Sequence, residues 1–383
     1  MAQDIYTSET TPFGRADSGR ASWRKWLLLL LLLLLLALLT YSAYYFSANR
    51  RLPVPGLGRL DDAVEPLQYL YSISGPQGPD ALTRPLGVEV SEDGRVYATD
   101  SSANTVRVYT TDGDYLFSFN KIADGEHTEL GTPVYLAINH KGELFVSDRR
   151  HRAIFVFTLD GEYLRKIAPA DPAEEKVWSP LGLGIDEDDN LLVTDVGRTD
   201  LHQVIIFDED GDEVRRFGTF GQVDNIPDSP GSFCFPNDVE SFGGTIYVAD
   251  SDNRRIQIFD KNGTFKSIMR TSGIPRGLGF DDEGRLYVAD ALAHQVDVYG
   301  TNNERITGFG ANGIGPGQFR YANDLAVDGR MHVYVTDRLN HRVQVWGWPA
   351  QITPPIPVPE TPAGWAGCLA PLVLLPLLLF LLL

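Results

Sequence analysis

Between residues 66 and 348 apolar and polar positions alternate in short runs of five or six, the period of half-buried β-strands. One phrase ending in aspartate recurs as Val96-Tyr-Ala-Thr-Asp100, Leu144-Phe-Val-Ser-Asp148, Leu191-Leu-Val-Thr-Asp195, Ile246-Tyr-Val-Ala-Asp250, Leu286-Tyr-Val-Ala-Asp290 and Val333-Tyr-Val-Thr-Asp337. The Asp-to-Asp steps are 48, 47, 55, 40 and 47. Before each phrase runs another apolar strand, such as Gly87–Val90 or Leu325–Val327, with a polar turn between the two such as Glu92-Asp-Gly94 or Asp282-Glu-Gly284. After the aspartate comes an alternating run such as Thr105–Tyr109, Arg255–Phe259 or Arg342–Trp346, then a Gly turn and a fourth strand.

Four short strands in roughly 40 to 50 residues is the length of one propeller blade. Six copies therefore predict an all-β, six-bladed β-propeller over 66–348. The last copy stops after its third strand. The run at 67–74, Gln68-Tyr-Leu-Tyr-Ser-Ile-Ser74 with its neighbour, is expected to close the ring as the outer strand of the sixth blade.

Two flanking segments are more apolar than a soluble fold requires. Residues 26–46 include leucine at every position from Leu27 to Leu36 and no charge. As a helix they would be roughly 31 Å long, enough to span a bilayer, with Trp26, Tyr41, Tyr44 and Tyr45 at headgroup level. A cleaved signal peptide fits less well, because cuts after Ala43 or Ala48 put Tyr41 or Phe46 where a small residue is needed. The expected organisation is a cytoplasmic tail (1–25), a transmembrane helix (26–46), a linker (47–65), the propeller, a Pro-rich linker (349–364) and a second transmembrane segment (365–383). By resemblance to ordinary signal-anchors, this places the protein in the cell membrane with the propeller extracytoplasmic.

The formal charge of −18 argues against a phosphate backbone as partner, so no nucleic acid is expected. Two cysteines, Cys234 and Cys368, leave no disulfide framework and no Cys-based zinc module. No Gly-rich phosphate loop or nucleophile elbow occurs. The repeated Asp residues read as turn-fixing acceptors of backbone N–H groups rather than a catalytic set.

Tyr247-Val-Ala-Asp-Ser-Asp-Asn-Arg-Arg-Ile-Gln-Ile-Phe259 and Tyr334-Val-Thr-Asp-Arg-Leu-Asn-His-Arg-Val-Gln-Val-Trp346 closely resemble the NHL repeat signature, as does Phe319–Val327 with Gly308-Phe-Gly310 upstream. The third copy is interrupted between Gly197 and His202, and the second has His151 where the signature has Asn. The resemblance implies that the first strand of each copy lines a central channel. Its opening residues are Leu86-Gly87, Val134-Tyr135, Leu181-Gly182, Asn237-Asp238, Arg276-Gly277 and Asn323-Asp324.

The candidate ligand-binding residues are therefore Asn237, Asp238, Arg276, Asn323 and Asp324, either holding an anion on Arg276 or a hard cation on Asn237, Asn323 and Asp324, with calcium the cofactor such oxygens suit. The alternative is that Asn-Asp caps a strand. Peptidyl-hydroxyglycine lyases of this fold bind zinc through His at the position of Leu86 and Asn237, and no copy has His there. Calcium-dependent lactonases use Glu, Asn and Asp, and Glu89 and Glu240 are the nearest glutamates, both inside the first strand. The seven histidines, at 127, 140, 151, 202, 294, 332 and 341, are expected in solvated or capping roles. The expected function is a membrane-tethered scaffold, more a binder than an enzyme, for a protein, peptide or glycan. The alternative is a metal-dependent lactonase or lyase at the channel mouth.

Overall fold

The computed structural model describes residues 26–37, 39–40, 64–198, 200–222 and 229–349. The chain divides into two units, Met1–Val64 and Glu65–Leu383. In the first, residues 26–37 and 39–40 are helical and the leucines are nearly all exposed. No helix among the described residues is long and apolar enough to cross a membrane. The rest of the expected span, at 41–46, and the tail at 365–383 lie outside the described residues, as do the segments 1–25, 47–63 and 350–364.

The second unit is a six-bladed β-propeller of four-stranded antiparallel blades. Blade I is built from β2 (Pro85–Val90), β3 (Arg95–Asp100), β4 (Thr105–Thr110) and β5 (Tyr115–Phe119). Blade II is β6 (Pro133–Ile138) to β9 (Tyr163–Ile167), blade III β10 (Pro180–Ile185) to β13 (Glu213–Phe217), then come the short parallel pair β14 (Thr219–Phe220) and β15 (Ser232–Phe233), blade IV β16 (Pro236–Phe242) to β19 (Phe265–Arg270), and blade V β20 (Pro275–Phe280) to β23 (Arg305–Phe309). Blade VI joins β24 (Ala322–Val327), β25 (Val333–Asp337) and β26 (Arg342–Gly347) to the first strand of the unit, β1 (Gln68–Ile73). The β1–β26 ladder runs from Gln68 opposite Gly347 to Ile73 opposite Val343, so the expected closure by this segment is observed.

Alternation along each strand sends side chains to both faces of its blade, and both faces are covered by the neighbouring blades. The middle strands are consequently buried throughout, as in β3, β7 (Glu143–Asp148) and β25. The apolar side chains gather in six clusters among the described residues, one at each blade junction. Val106, Val108, Leu144 and Phe155 fill the I–II junction, and Ile73, Val96, Tyr334 and Val345 fill the VI–I junction beside the β1–β26 ladder.

The signature aspartates fix the loops that lead into the inner strands. Asp100 accepts backbone N–H bonds from Thr83 and Arg84, Asp195 from Ser179, Asp250 from Cys234, Asp290 from Ile274 and Asp337 from Arg320, at 2.7 to 3.1 Å. Asp148 accepts the N–H groups of Gly131 and Thr132. The interruption in the third copy is a lengthened hairpin: β11 (Leu191–Arg198) and β12 (Leu201–Phe207) stay paired out to Arg198 opposite Leu201.

Candidate functional site

Each inner strand opens with a register shift against the strand beside it, for example between Pro85 and Val88 and between Pro236 and Asp238. Such a bulge turns the first side chains toward the axis. In four blades a hydroxyl just before the signature Asp holds it. Thr99, Ser147, Thr194 and Thr336 accept the N–H of Gly87, Tyr135, Gly182 and Asp324 at 2.8 to 3.0 Å. Three of these hydroxyls donate onward to a carbonyl of the next blade: Thr99 to Val134, Ser147 to Leu181 and Thr336 to Leu86. They are sealing residues between blades, and sequence reasoning passed over them as ordinary strand positions.

At the third position of the inner strand, small and large residues alternate around the ring. A side chain on Gly87 would run into the backbone of Val134 and Tyr135, one on Gly182 into that of Asn237 and Asp238, and one on Gly277 into that of Asp324. The three glycines therefore let blades II, IV and VI lean inward with Tyr135, Asp238 and Asp324. The Asp238 carboxylate accepts the Leu278 N–H at 2.7 Å, and Asp324 accepts that of Val88 at 2.9 Å. Both aspartates are buried, and desolvation raises their pKa well above the usual carboxyl range. Tyr135 crosses the channel, its hydroxyl donating to the Arg276 carbonyl oxygen at 3.1 Å.

Two further carboxyls face the channel toward its other end. Glu89 and Glu240 line a cavity of about 430 Å³ together with His140, Asp186 and Glu187. Burial pushes Glu89 up to about 7, and burial plus repulsion from Glu89 and Asp324 pushes Glu240 well above the ordinary value. The two glutamates thus belong to the end opposite Asn237 and Asn323 and do not complete a ligand set there.

The mouth where the inner strands begin is different in sign. It is a cavity of about 510 Å³ lined by Arg84, Arg149, Arg276 and Arg338 against one acid, Asp252. The Arg276 and Arg338 guanidiniums both lie over one ring, Tyr321, at 5.4 and 5.2 Å from its centroid. Arg276 also donates to the Asn237 amide oxygen at 2.6 Å. The Nε atoms of both Arg276 and Arg338 are buried with no hydrogen-bond acceptor. Desolvation, together with Arg84 and Arg276 nearby, lowers the pKa of Arg338.

Of the residues expected at the site, Asn237, Arg276 and Asn323 share this mouth, whereas Asp238 and Asp324 sit deeper and stitch blades together. Asn323 donates its amide to the Leu86 carbonyl at 2.9 Å, and Asn237 donates to that of Phe235. Sequence reasoning missed Arg84, Arg149 and Arg338, which three separate loops deliver. One histidine departs from the expected solvated role. His202 is buried on β12, accepts the Phe235 N–H on Nδ1 at 3.0 Å, and has its pKa lowered by desolvation.

Comparison with known proteins agrees with the repeats and the propeller fold. Residues 233–259 and 319–346 match the family described as NHL repeat. The Drosophila melanogaster protein brain tumor is 26% identical over 144 residues, which cover 36% of this chain and 13% of that protein, so the matched stretch is a small part of the relative. Among solved structures, a streptogramin B lyase superposes with a TM-score of 0.51 at 13% identity, over 73% of this chain and 97% of that one. A Bacteroides thetaiotaomicron protein of unknown function gives 0.55 at 12% identity over 73% of each chain, and a luciferin-regenerating enzyme 0.50 at 16% identity over 69% and 90%. At these identities the likeness concerns the fold alone.

Proposed function

We propose that this chain, a six-bladed propeller carrying NHL repeats, is a membrane-tethered binding module that captures an acidic protein or peptide segment at the arginine mouth of its channel. The observation that carries the reading is that Arg276 and Arg338 line one mouth together with two further arginines and with Asp252 as its one acid. Guanidinium groups gathered at a half-buried mouth favour a carboxylate, which accepts short charge-assisted hydrogen bonds from them. Arg84 and Arg149 add to the attraction on an otherwise acidic chain.

Apolar groups favour a protein over a glycan. Phe235, Leu292, Ile314 and Leu339 are exposed, and all four lie in loops that leave the blades on the side of this mouth. Arginine surrounded by aromatic and aliphatic anchors is the composition of a protein interface centre. Because Tyr135 blocks the channel, the segment would rest on this face rather than thread the ring. The exposed leucines of the N-terminal helix support the tether, since apolar surface of that extent calls for an apolar surrounding.

The metal-dependent enzyme reading has less behind it. The Asn237 amide oxygen already faces the Arg276 guanidinium at 2.6 Å, a fixed positive charge where a calcium ion would have to sit.

The test is fluorescence anisotropy on the full-length chain in mild detergent with four probes: a labelled peptide of alternating Glu and Leu, its Lys–Leu counterpart, an acidic oligosaccharide and a single-stranded RNA. Saturable, salt-sensitive binding of the Glu–Leu peptide alone is expected. Tighter binding of the oligosaccharide or the RNA, or calcium binding that displaces the peptide, would overturn the assignment. For the tether, deletion of 26–46 should release the protein from the membrane fraction.

A further inference from the structure

The arginine mouth has two unlike sides. The inner strands touch one another around the ring in the order β2, β6, β10, β16, β20, β24 and back to β2, so blades III and IV stand opposite blades VI and I. The bond from Tyr135 on blade II to the Arg276 carbonyl on blade V spans the ring in the same way. Blades V, VI, I and II each bring one arginine to the mouth, namely Arg276, Arg338, Arg84 and Arg149. Among the described residues, blades III and IV bring none. Blade III lines the cavity with Leu181 and Val196, and blade IV with Phe235, Asn237 and Asp252.

Both sides are held in place. Tyr321 lies under the guanidiniums of Arg276 and Arg338, and Asn237 ties the first of them at 2.6 Å. On the facing side Leu181 and Val196 belong to a core cluster with Trp178 and Val193. Phe235 is 47% exposed, yet its backbone is fixed. Its φ of 49° is left-handed, its N–H is accepted by His202 Nδ1 at 3.0 Å, and its ring lies 4.9 Å from that imidazole. An exposed ring on a fixed backbone is an apolar contact whose ordering is largely complete before a ligand arrives. The Asp252 N–H bonds to the carbonyl of Cys234, next to Phe235. Its exposed charge turns a ligand carboxylate away from blade IV and toward the arginines.

We propose that the mouth selects an extended peptide segment in which an acidic residue and an apolar residue are direct neighbours, the carboxylate on the Arg276 and Arg338 side and the apolar side chain against Leu181, Val196 and Phe235. This rests on the reading of the mouth as a carboxylate site and adds the order of residues in the partner. Successive side chains of an extended chain point in opposite directions, whereas those two positions apart point the same way. Neighbouring residues therefore reach facing walls, and residues two apart crowd a single wall. A cationic wall opposite an apolar one reads residue order, not composition alone.

The experiment is fluorescence anisotropy on the full-length chain in mild detergent with two labelled peptides of one composition. One repeats Glu-Leu-Ser-Ser and the other Glu-Ser-Leu-Ser, both amidated at the C-terminus. Only the first sets Glu and Leu on opposite sides of an extended chain, and it should bind about tenfold more tightly, as partial burial of one leucine side chain allows. Phe235→Asn, with a residue that tolerates the left-handed backbone, should reduce that advantage and leave the affinity of the second peptide unchanged. Equal affinity of the two peptides, or a folded Phe235→Asn variant that keeps the full preference, overturns the proposal and leaves the carboxylate reading standing. Failure of either peptide to bind overturns both. The comparison of the two peptides needs no variant, so a Phe235→Asn chain that does not fold still leaves it decisive.

Discussion

The Tyr135 hydroxyl donates to the Arg276 carbonyl oxygen at 3.1 Å, joining the inner strands of blades II and V across the channel. Tyr135 thus lies across the channel between two chemically unlike ends. Arginines surround one end and carboxyls the other. Tyr135→Phe should cost about 1 kcal/mol, the net worth of a neutral hydrogen bond. Tyr135→Ala should cost about 3–5 kcal/mol by leaving a cavity in the centre. Urea unfolding of the two variants measures the difference.

The buried carboxyls set the pH dependence of stability. Glu89 titrates near 7 in the folded protein against 4.5 for an ordinary glutamate, so between those values the folded state binds more protons than the unfolded one. Stability from this group is therefore full below about pH 4.5 and declines as pH rises through 7. Asp238, Glu240 and Asp324 are shifted in the same direction and extend the decline to higher pH. The melting temperature should be higher at pH 5.5 than at pH 8, and Glu89→Gln should narrow that gap by stabilising the protein at pH 8.

The Asp250–Arg255 pair is the buried form of the NHL signature. Arg255 Nε donates to Asp250 at 2.7 Å and its Nη2 to the Ser232 carbonyl at 2.8 Å, while Asp250 also takes the Cys234 N–H. Asp250→Ala leaves Arg255 charged and unpaired in the interior and should cost about 3–5 kcal/mol. Exposed pairs such as Lys121–Glu129 should contribute well under 1 kcal/mol when either partner is removed. Thermal melts of the two single variants separate the cases.

The fold was legible because its signals are periodic: six Asp-terminated strands, and a run at 67–74 that alternates correctly and finds the edge of β26. The candidate site was legible only in part. Asn237, Arg276 and Asn323 stood out because copies differ at the inner-strand start, and the structure brings these three to one mouth. Arg149 and Arg338 each directly follow a signature Asp, but four other copies have no arginine there and Arg84 precedes an inner strand instead, so their convergence shows only when the ring closes. The roles of Asp238 and Asp324 depended on the glycines opposite them, a relation between blades that no single copy contains. His202 was misjudged because the interruption after Gly197 looks like a loop, whereas β11 and β12 pair through it and bury the ring.

Closure by β1 should be essential to solubility. Removing residues 66–73 leaves β26 with an unpaired edge and strips Ile73 from the VI–I junction. The truncated protein should unfold at lower temperature and aggregate on size-exclusion chromatography, where the intact chain gives a single species.

The central claim is that Arg276 and Arg338 hold a ligand carboxylate, and its most direct test is the affinity of the Glu–Leu peptide for the Arg276→Ala/Arg338→Ala variant at several salt concentrations. Each charge-assisted bond is worth about 1.5–3 kcal/mol, so the variant should bind at least tenfold more weakly and with a shallower salt dependence. Unchanged affinity and salt dependence in a folded variant would contradict the account.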